Sequence, residues 1–216
     1  MTSRHGFSLV ELLVVMAILS VLGGLAVLGL PQMLRAGDRS LMENVIMQLD
    51  AALESYATDA KNGDYPPTLL NADDFPGVGP RVNTDNCGNE SVILCLNRKG
   101  RDSLFDIEGY KGLKLENIDA DRTQAVLTSF GPEDKELYEV LDIWGTPIAY
   151  FHHRDYGIVE SQDLGRISGV EDLVKALPWR NAKTKGYFQR DRFQIISAGP
   201  DLKFNTEDDL TNFDRQ

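Results

Sequence analysis

One stretch constrains this chain more than any other. Residues 7 to 30 read FSLVELLVVMAILSVLGGLAVLGL; eighteen of the 24 are hydrophobic and Glu11 is the only charge. As a helix this stretch would be roughly 36 Å long at about 1.5 Å per residue, enough to cross a hydrocarbon core of about 30 Å. A buried core helix seldom stays apolar on every face for so long. A cleaved secretory signal carries an apolar stretch of roughly 7 to 15 residues and then a small-residue cleavage site. Here the stretch is longer, no A-x-A-like site precedes Pro31, and only MTSRHG stands ahead of it. A retained single-pass anchor is the expectation. Flanking charge does not orient it, because Arg4 and the initiator amine lie on one side and Arg35 and Arg39 on the other.

A carboxylate deep in hydrocarbon costs about 2.5–3.5 kcal/mol, so Glu11 needs a partner or a place at the headgroup level. The string around it, R-H-G-F-S-L-V-E, resembles the leader of type IV pilins and pseudopilins: a short basic leader, Gly6, the aromatic Phe7, and Glu11 as fifth residue of the mature chain. The resemblance implies that a membrane-embedded prepilin peptidase removes residues 1–6, cutting between Gly6 and Phe7, and methylates the new amine of Phe7. A residue without a side chain lets the peptidase approach the backbone. It also implies that Glu11 faces the α-amine of a neighbouring copy in a helical homopolymer. Two opposite charges there neutralise each other and fix the axial register. The same resemblance, not the charge pattern, places the helix in the inner membrane and the C-terminal domain in the periplasm.

Gly23, Gly24, Gly29 and Pro31 soften the end of the span, since Gly costs about 1 and Pro about 3 kcal/mol inside a helix. Beyond Pro31 the pattern turns amphipathic, with Leu34, Leu41, Val45, Leu49, Ala52, Leu53 and Tyr56 at three- and four-residue steps and charges on other faces. The expectation is one helix from Phe7 to Ala60: a transmembrane part at 7–30 and an amphipathic continuation at 31–60. Lys61-Asn62-Gly63-Asp64 and then Tyr65-Pro66-Pro67 end it. A globular domain at 61–216 follows. The Y-P-P-T-L string is similar to the loop after this helix in the major pseudopilins of type II secretion. The implied fold is α+β: a long N-terminal helix packed on a small antiparallel β-sheet domain, pilin-like.

Residues 71–139 do not match the core of that family and read as an insertion. Within them Glu90 to Arg98 reads as a short helix, with Asn89 as cap and Gly100 as terminator. Cys87 and Cys95, the only cysteines, are candidates for a disulfide across this insertion or for two free thiols, Cys95 buried. Asp142 to Phe151 (DIWGTPIAYF) reads as a turn entering a strand and resembles the D-P-W-G-x-P-Y-x-Y signature of the same pseudopilins. Trp144 covers a small core, Gly145 allows the turn, and Ile148 and Tyr150 alternate with outward residues. A second strand is expected at Arg192–Ser197 and a short helix near Glu171–Leu177. Adjacent His152 and His153 on a strand point to opposite faces and do not share one ion; a strand-end or surface role fits them.

Residues 197–210, SAGPDLKFNTEDDL, crowd three Asp and one Glu onto a chain that turns at Gly199-Pro200. Hard cations take six to eight oxygens, yet the spacing is not that of an EF-hand. Spacing alone leaves a solvated acidic loop as the alternative. The string resembles the S-A-G-P-D-G-x-x-G-T-x-D-D calcium loop that closes the major pseudopilin domain. That resemblance implies structural calcium held by carboxylates of Asp201, Asp208 and Asp209, the hydroxyl of Thr206, and main-chain carbonyls of Ala198 and Lys203. Leu202 and Asn205 stand where the family usually has Gly. Asn tolerates positive φ but Leu does so poorly, which leaves room for a different turn at Leu202. Lys203 must point outward.

A net charge of -11 and the absence of a Lys/Arg cluster argue against a nucleic-acid binder. No P-loop, H-E-x-x-H or G-x-S-x-G string is present, so no enzyme is expected. What the resemblance implies is a structural subunit of a periplasmic pseudopilus driving protein export by type II secretion. Its partners would be copies of itself, the prepilin peptidase, minor pseudopilins, and an assembly platform with its ATPase. The alternative is a type IV pilin of a surface pilus serving adhesion, motility or DNA uptake.

Overall fold

The computed structural model describes residues 9–59, 62–79, 84–100, 102, 104–105, 109, 113–162, 165–168 and 173–215, with the side chains of 23–34, 162, 168 and 173 outside the description. The leader 1–6 and Phe7 lie outside the described residues. The chain divides into two compact units, Met1–Leu41 and Met42–Gln216.

The first unit is the N-terminal part of one helix, α1, which runs from Leu9 to Thr58. The apolar run and the amphipathic run thus form a single element, close to the expected bounds. Asn62 and Gly63 close its end by donating from their amides to Asp59 O, Gly63 at φ 69°, a region that glycine enters without steric cost.

In the second unit the Met42–Thr58 part of α1 buries Met42, Val45, Ile46, Leu49, Leu53 and Tyr56, a stripe at three- and four-residue steps. Leu41, expected on that stripe, is exposed. The sheet beneath is antiparallel. β3 (Ala149–His152) pairs with β6 (Phe193–Ser197), which pairs with β7 (Leu210–Thr211). Two small ribbons flank it, β1 (Lys114–Glu116) with β2 (Glu139–Leu141), and β4 (Arg166–Ser168) with β5 (Leu173–Lys175). The fold is α+β, a long N-terminal helix with its later turns packed on a small antiparallel sheet domain. Strand β5 overturns the expected helix at Glu171–Leu177. Its described backbone pairs with β4, a non-local partner that periodicity over seven residues does not reveal.

The sheet is covered on both faces. Tyr150, Phe193, Ile195 and Leu210 face α1 and the second helix, α2 (Cys87–Leu96). Ala149, Phe151 and Ile196 face Tyr156 and Val159 of α3 (Tyr156–Gln162), Ile167 and Phe204. The alternation expected in β3 is therefore present, but the second face meets another core instead of water. A polar seam ties α1 to β6: Arg192 Nη2 lies 3.0 Å from Asp50 Oδ2, and its Nε donates to Glu54 Oε1 at 2.6 Å.

Helix α2 (Cys87–Leu96) is buried along its whole length. It starts earlier than expected, with Asn86 and not Asn89 at its N-cap. Gly88 lets it lie directly against β3, since a Cβ there would stand 2.2 Å from Tyr150 O. The segment that contains α2 is thus part of the core.

Candidate functional site

Glu11 sits in the first turn of α1. Around it Leu9, Val10, Leu12 and Leu13 are all more than half exposed, and exposed apolar side chains continue to Leu22. An exposed apolar surface of this length marks a face that meets lipid or protein. Among the described residues no helix is long and apolar enough to cross a membrane. The expected span 7–30 extends past the described side chains at both ends, and Gly6 and Phe7 fall outside them.

The C-terminal loop is held by its own polar atoms. A 3-10 turn covers Gly199–Asp201, and Leu202 follows at φ 59°. Asn205 stands at φ 67°. Both positions where the resembled family carries Gly are therefore left-handed here, and Leu202 makes the turn despite its Cβ. Thr206 Oγ1 donates to Asp208 Oδ1 at 2.6 Å and lies 3.3 Å from both Asp209 Oδ1 and Lys203 O. Four of the six expected donors thus gather around one hydroxyl. Asp201 joins this group through its amide, which donates to Asp208 Oδ2 at 3.2 Å, while its Oδ1 accepts from Lys203 N at 2.8 Å. Asp209 Oδ2 accepts from Asn205 N at 2.8 Å and from Trp179 Nε1 at 3.2 Å. Burial pushes the Asp209 carboxyl up, although these donors pull against it. The Lys203 side chain is exposed, as the loop requires.

The two cysteines are free and buried. They lie on one continuous helix with seven residues between them, an axial separation of about 12 Å. A disulfide spans about 4.4–6.8 Å between Cα atoms, so of the two alternatives left open by the sequence the structure has the two free thiols, packed in α2. Burial and then Glu90 push the Cys87 thiol up to about 12. His152 ends β3 fully buried, its Nε2 3.2 Å from Asp64 Oδ1 and its Nδ1 accepting from Arg154 N at 3.1 Å. That is the strand-end role expected for His152, but the two histidines do not take opposite faces: His153 lies beyond the strand in a 3-10 turn, and the two rings stand 4.4 Å apart.

A further cluster went unread in the sequence. Glu90 of α2, Asp119 and Asp121 bring carboxylate oxygens within 4.8 Å of one another. Glu90 is 0% exposed, and neither of its oxygens has a hydrogen-bond partner. The loop carrying the two aspartates reads Asn117-Ile118-Asp119-Ala120-Asp121 and turns at Ala120, φ 60°. Glu139 of β2 fixes it, accepting from Ile118 N at 3.0 Å and from Asn86 Nδ2 at 3.1 Å. Burial, then Asp119, push the Glu139 carboxyl up to about 8. The alternation of carboxylate and carboxamide at every second residue, 117, 119 and 121, was the available signal. Glu90 carries no local sign, because its partners lie about thirty residues away.

None of the curated proteins and none of the solved structures compared with the chain matches it. Residues 1–27 match the family model described as the prokaryotic N-terminal methylation motif, so the chain carries the leader of a type IV pilin-like subunit.

Proposed function

We propose that the chain is a structural subunit of a periplasmic pseudopilus that drives protein export by type II secretion. The observation that carries the reading is the methylation motif over residues 1–27 with Glu11 in the first turn of α1. Such a motif goes in general with prepilin peptidase processing and polymerisation, the work of a structural subunit and not of an enzyme. On this reading the peptidase cuts between Gly6 and Phe7, and Glu11 pairs with the methylated amine of the next copy. Calcium belongs to the same reading: Thr206, Asp208, Asp209 and the Lys203 carbonyl have the oxygens and the proximity to hold it. The pseudopilus is preferred to a surface pilus because the D-x-W-G-x-P turn and the C-terminal loop resemble those of major pseudopilins.

Glu11→Ala and Glu11→Leu should leave the protein in the membrane fraction and abolish filaments. Normal filaments from either variant would defeat the reading. Deleting the gene should collapse the secretome while surface pili persist; loss of the pili alone would favour the alternative.

A further inference from the structure

Glu90 presents a problem of electrostatics. A buried carboxylate without a hydrogen-bond donor is costly, and two more carboxylates within 4.8 Å add like-charge repulsion. The fold nevertheless brings these groups together from two separate segments, and no described lysine or arginine forms an ion pair with Glu90 or Asp119. Instead it supplies oxygen. Besides the Glu90 pair, Asn117 Oδ1 and Asp119 Oδ1 are buried without a hydrogen-bond partner. The Asn117 amide nitrogen meanwhile donates to Asp121 O at 2.9 Å, closing the loop on itself. Orphan acceptors that converge are what a bound cation satisfies and what a shared proton satisfies only in part.

We infer that Glu90, Asp119 and Asp121, with Asn117 beside them, form a buried site for a hard divalent cation, calcium. Ligand oxygens at about 2.3–2.6 Å from calcium stand at most about 4.6–5.2 Å apart, which accommodates the 4.8 Å span. Glu90 brings a carboxylate oxygen from a buried helix, and the two aspartates come from alternate positions of one turn. Magnesium fits less well, because it dehydrates reluctantly and keeps several waters, and Glu90 is fully buried. Glu139 stays outside the ligand set; its oxygens accept from Ile118 N and Asn86 Nδ2 and hold the turn in place. The cation would clamp α2 to the 117–121 turn, and it is independent of any ion in the C-terminal loop.

The test uses the full chain in detergent micelles, with calcium chloride alone as probe, read by calorimetric titration and by the melting temperature against a chelator. Wild type and Asp208→Asn should both keep a calcium-dependent rise in melting temperature. Added to Asp208→Asn, Glu90→Gln, of the same shape and without the charge, should weaken binding at this site by at least about tenfold and lose most of that rise. Should Glu90→Gln fail to fold, Asp119→Asn, on the more open turn, is read in the same way. Magnesium at equal concentration should not displace calcium. A protein carrying Glu90→Gln or Asp119→Asn together with Asp208→Asn and keeping the calcium response of Asp208→Asn alone would overturn the site. So would a Glu90→Gln protein whose melting temperature rises equally with and without calcium, since that is the signature of a shared proton.

Discussion

Asn89 acts as a strand partner for Val140: its Nδ2 donates to Val140 O at 2.9 Å and its Oδ1 accepts from Val140 N at 2.8 Å. A side chain on α2 thus takes the ladder positions that another strand's backbone would fill. The same Nδ2 also donates to Ile148 O at 2.8 Å. Truncation would leave the buried Val140 N–H and the buried Ile148 carbonyl without partners, each costing about 1–3 kcal/mol, while Val140 O keeps the Ile148 amide at 3.0 Å. Asn89→Ala is expected to lower stability by about 3 kcal/mol in urea unfolding, with little change in the slope. A loss below about 0.5 kcal/mol would show that water replaces the amide.

The contact of α2 with β3 gives a second test. Alanine at an ordinary helix position gains about 1 kcal/mol over glycine. At Gly88 the added Cβ would meet the backbone of Tyr150, which cannot swing away as a side chain can. Gly88→Ala should therefore destabilise by about 3 kcal/mol, the upper range for an overpacked core. Alanine tolerated at this position would mean that α2 can slide.

Leu202 pays a conformational cost of about 1–2 kcal/mol at φ 59°. Glycine there removes that cost and adds about 0.5–1 kcal/mol of chain entropy to the unfolded state. Leu202→Gly is expected to gain up to about 1 kcal/mol, seen as a higher urea midpoint. Leu202→Val should fall in the opposite direction, because β-branching makes the left-handed region worse.

Acid should weaken the His152 end of β3. Burial holds the imidazole below its ordinary range, and nearby His153 and Arg154 act the same way while Asp64 opposes them. The unfolded chain then takes up a proton at about pH 6.5 that the folded chain resists. Stability attached to this group is complete above about pH 6.5 and falls as the pH drops below it. Asp64, held low by the Tyr65 amide, His152 and Arg154 against its partial burial, loses its own contribution only in stronger acid. His152→Gln should flatten the fall between pH 7 and 5; parallel profiles for the two proteins would remove His152 as its source.

Neither cysteine should react in the folded state. Burial of both, and the high position of the Cys87 thiol, predict no labelling by an aromatic disulfide reagent at pH 8 until the protein unfolds. A reductant should leave the melting temperature unchanged, whereas a fall of several degrees would restore the disulfide.

Local signals served where the cause is local. The breaker at Asn62-Gly63 ends α1 near its expected place, and Asp142 Oδ1 binds the amides of Trp144 and Thr146 in the turn expected there. The left-handed demand at 202 and 205 was visible through resemblance, and the structure meets it. Distant partners defeated the reading elsewhere. Asn89 reads as a cap because its amide can serve one, yet Val140 and Ile148 claim it from fifty-one and fifty-nine residues away. Leu173–Lys175 becomes a strand because Arg166–Ser168 lies alongside. The acidic cluster follows the same rule, since only the fold carries Glu90 to Asp119 and Asp121.

The way α2 lies along β3 also governs what the sheet cannot do. On the side of β3 away from β6, Ile148 O is taken by Asn89, His152 N donates to Thr68 Oγ1 at 2.8 Å, and the Gly88 backbone occupies the approach to Tyr150 O. The opposite border, β7, is two residues long. A foreign strand finds no row of open amides on the first side and almost no length on the second. The three-stranded sheet thus closes, at both of its borders, the route by which sheets zip chains into amyloid.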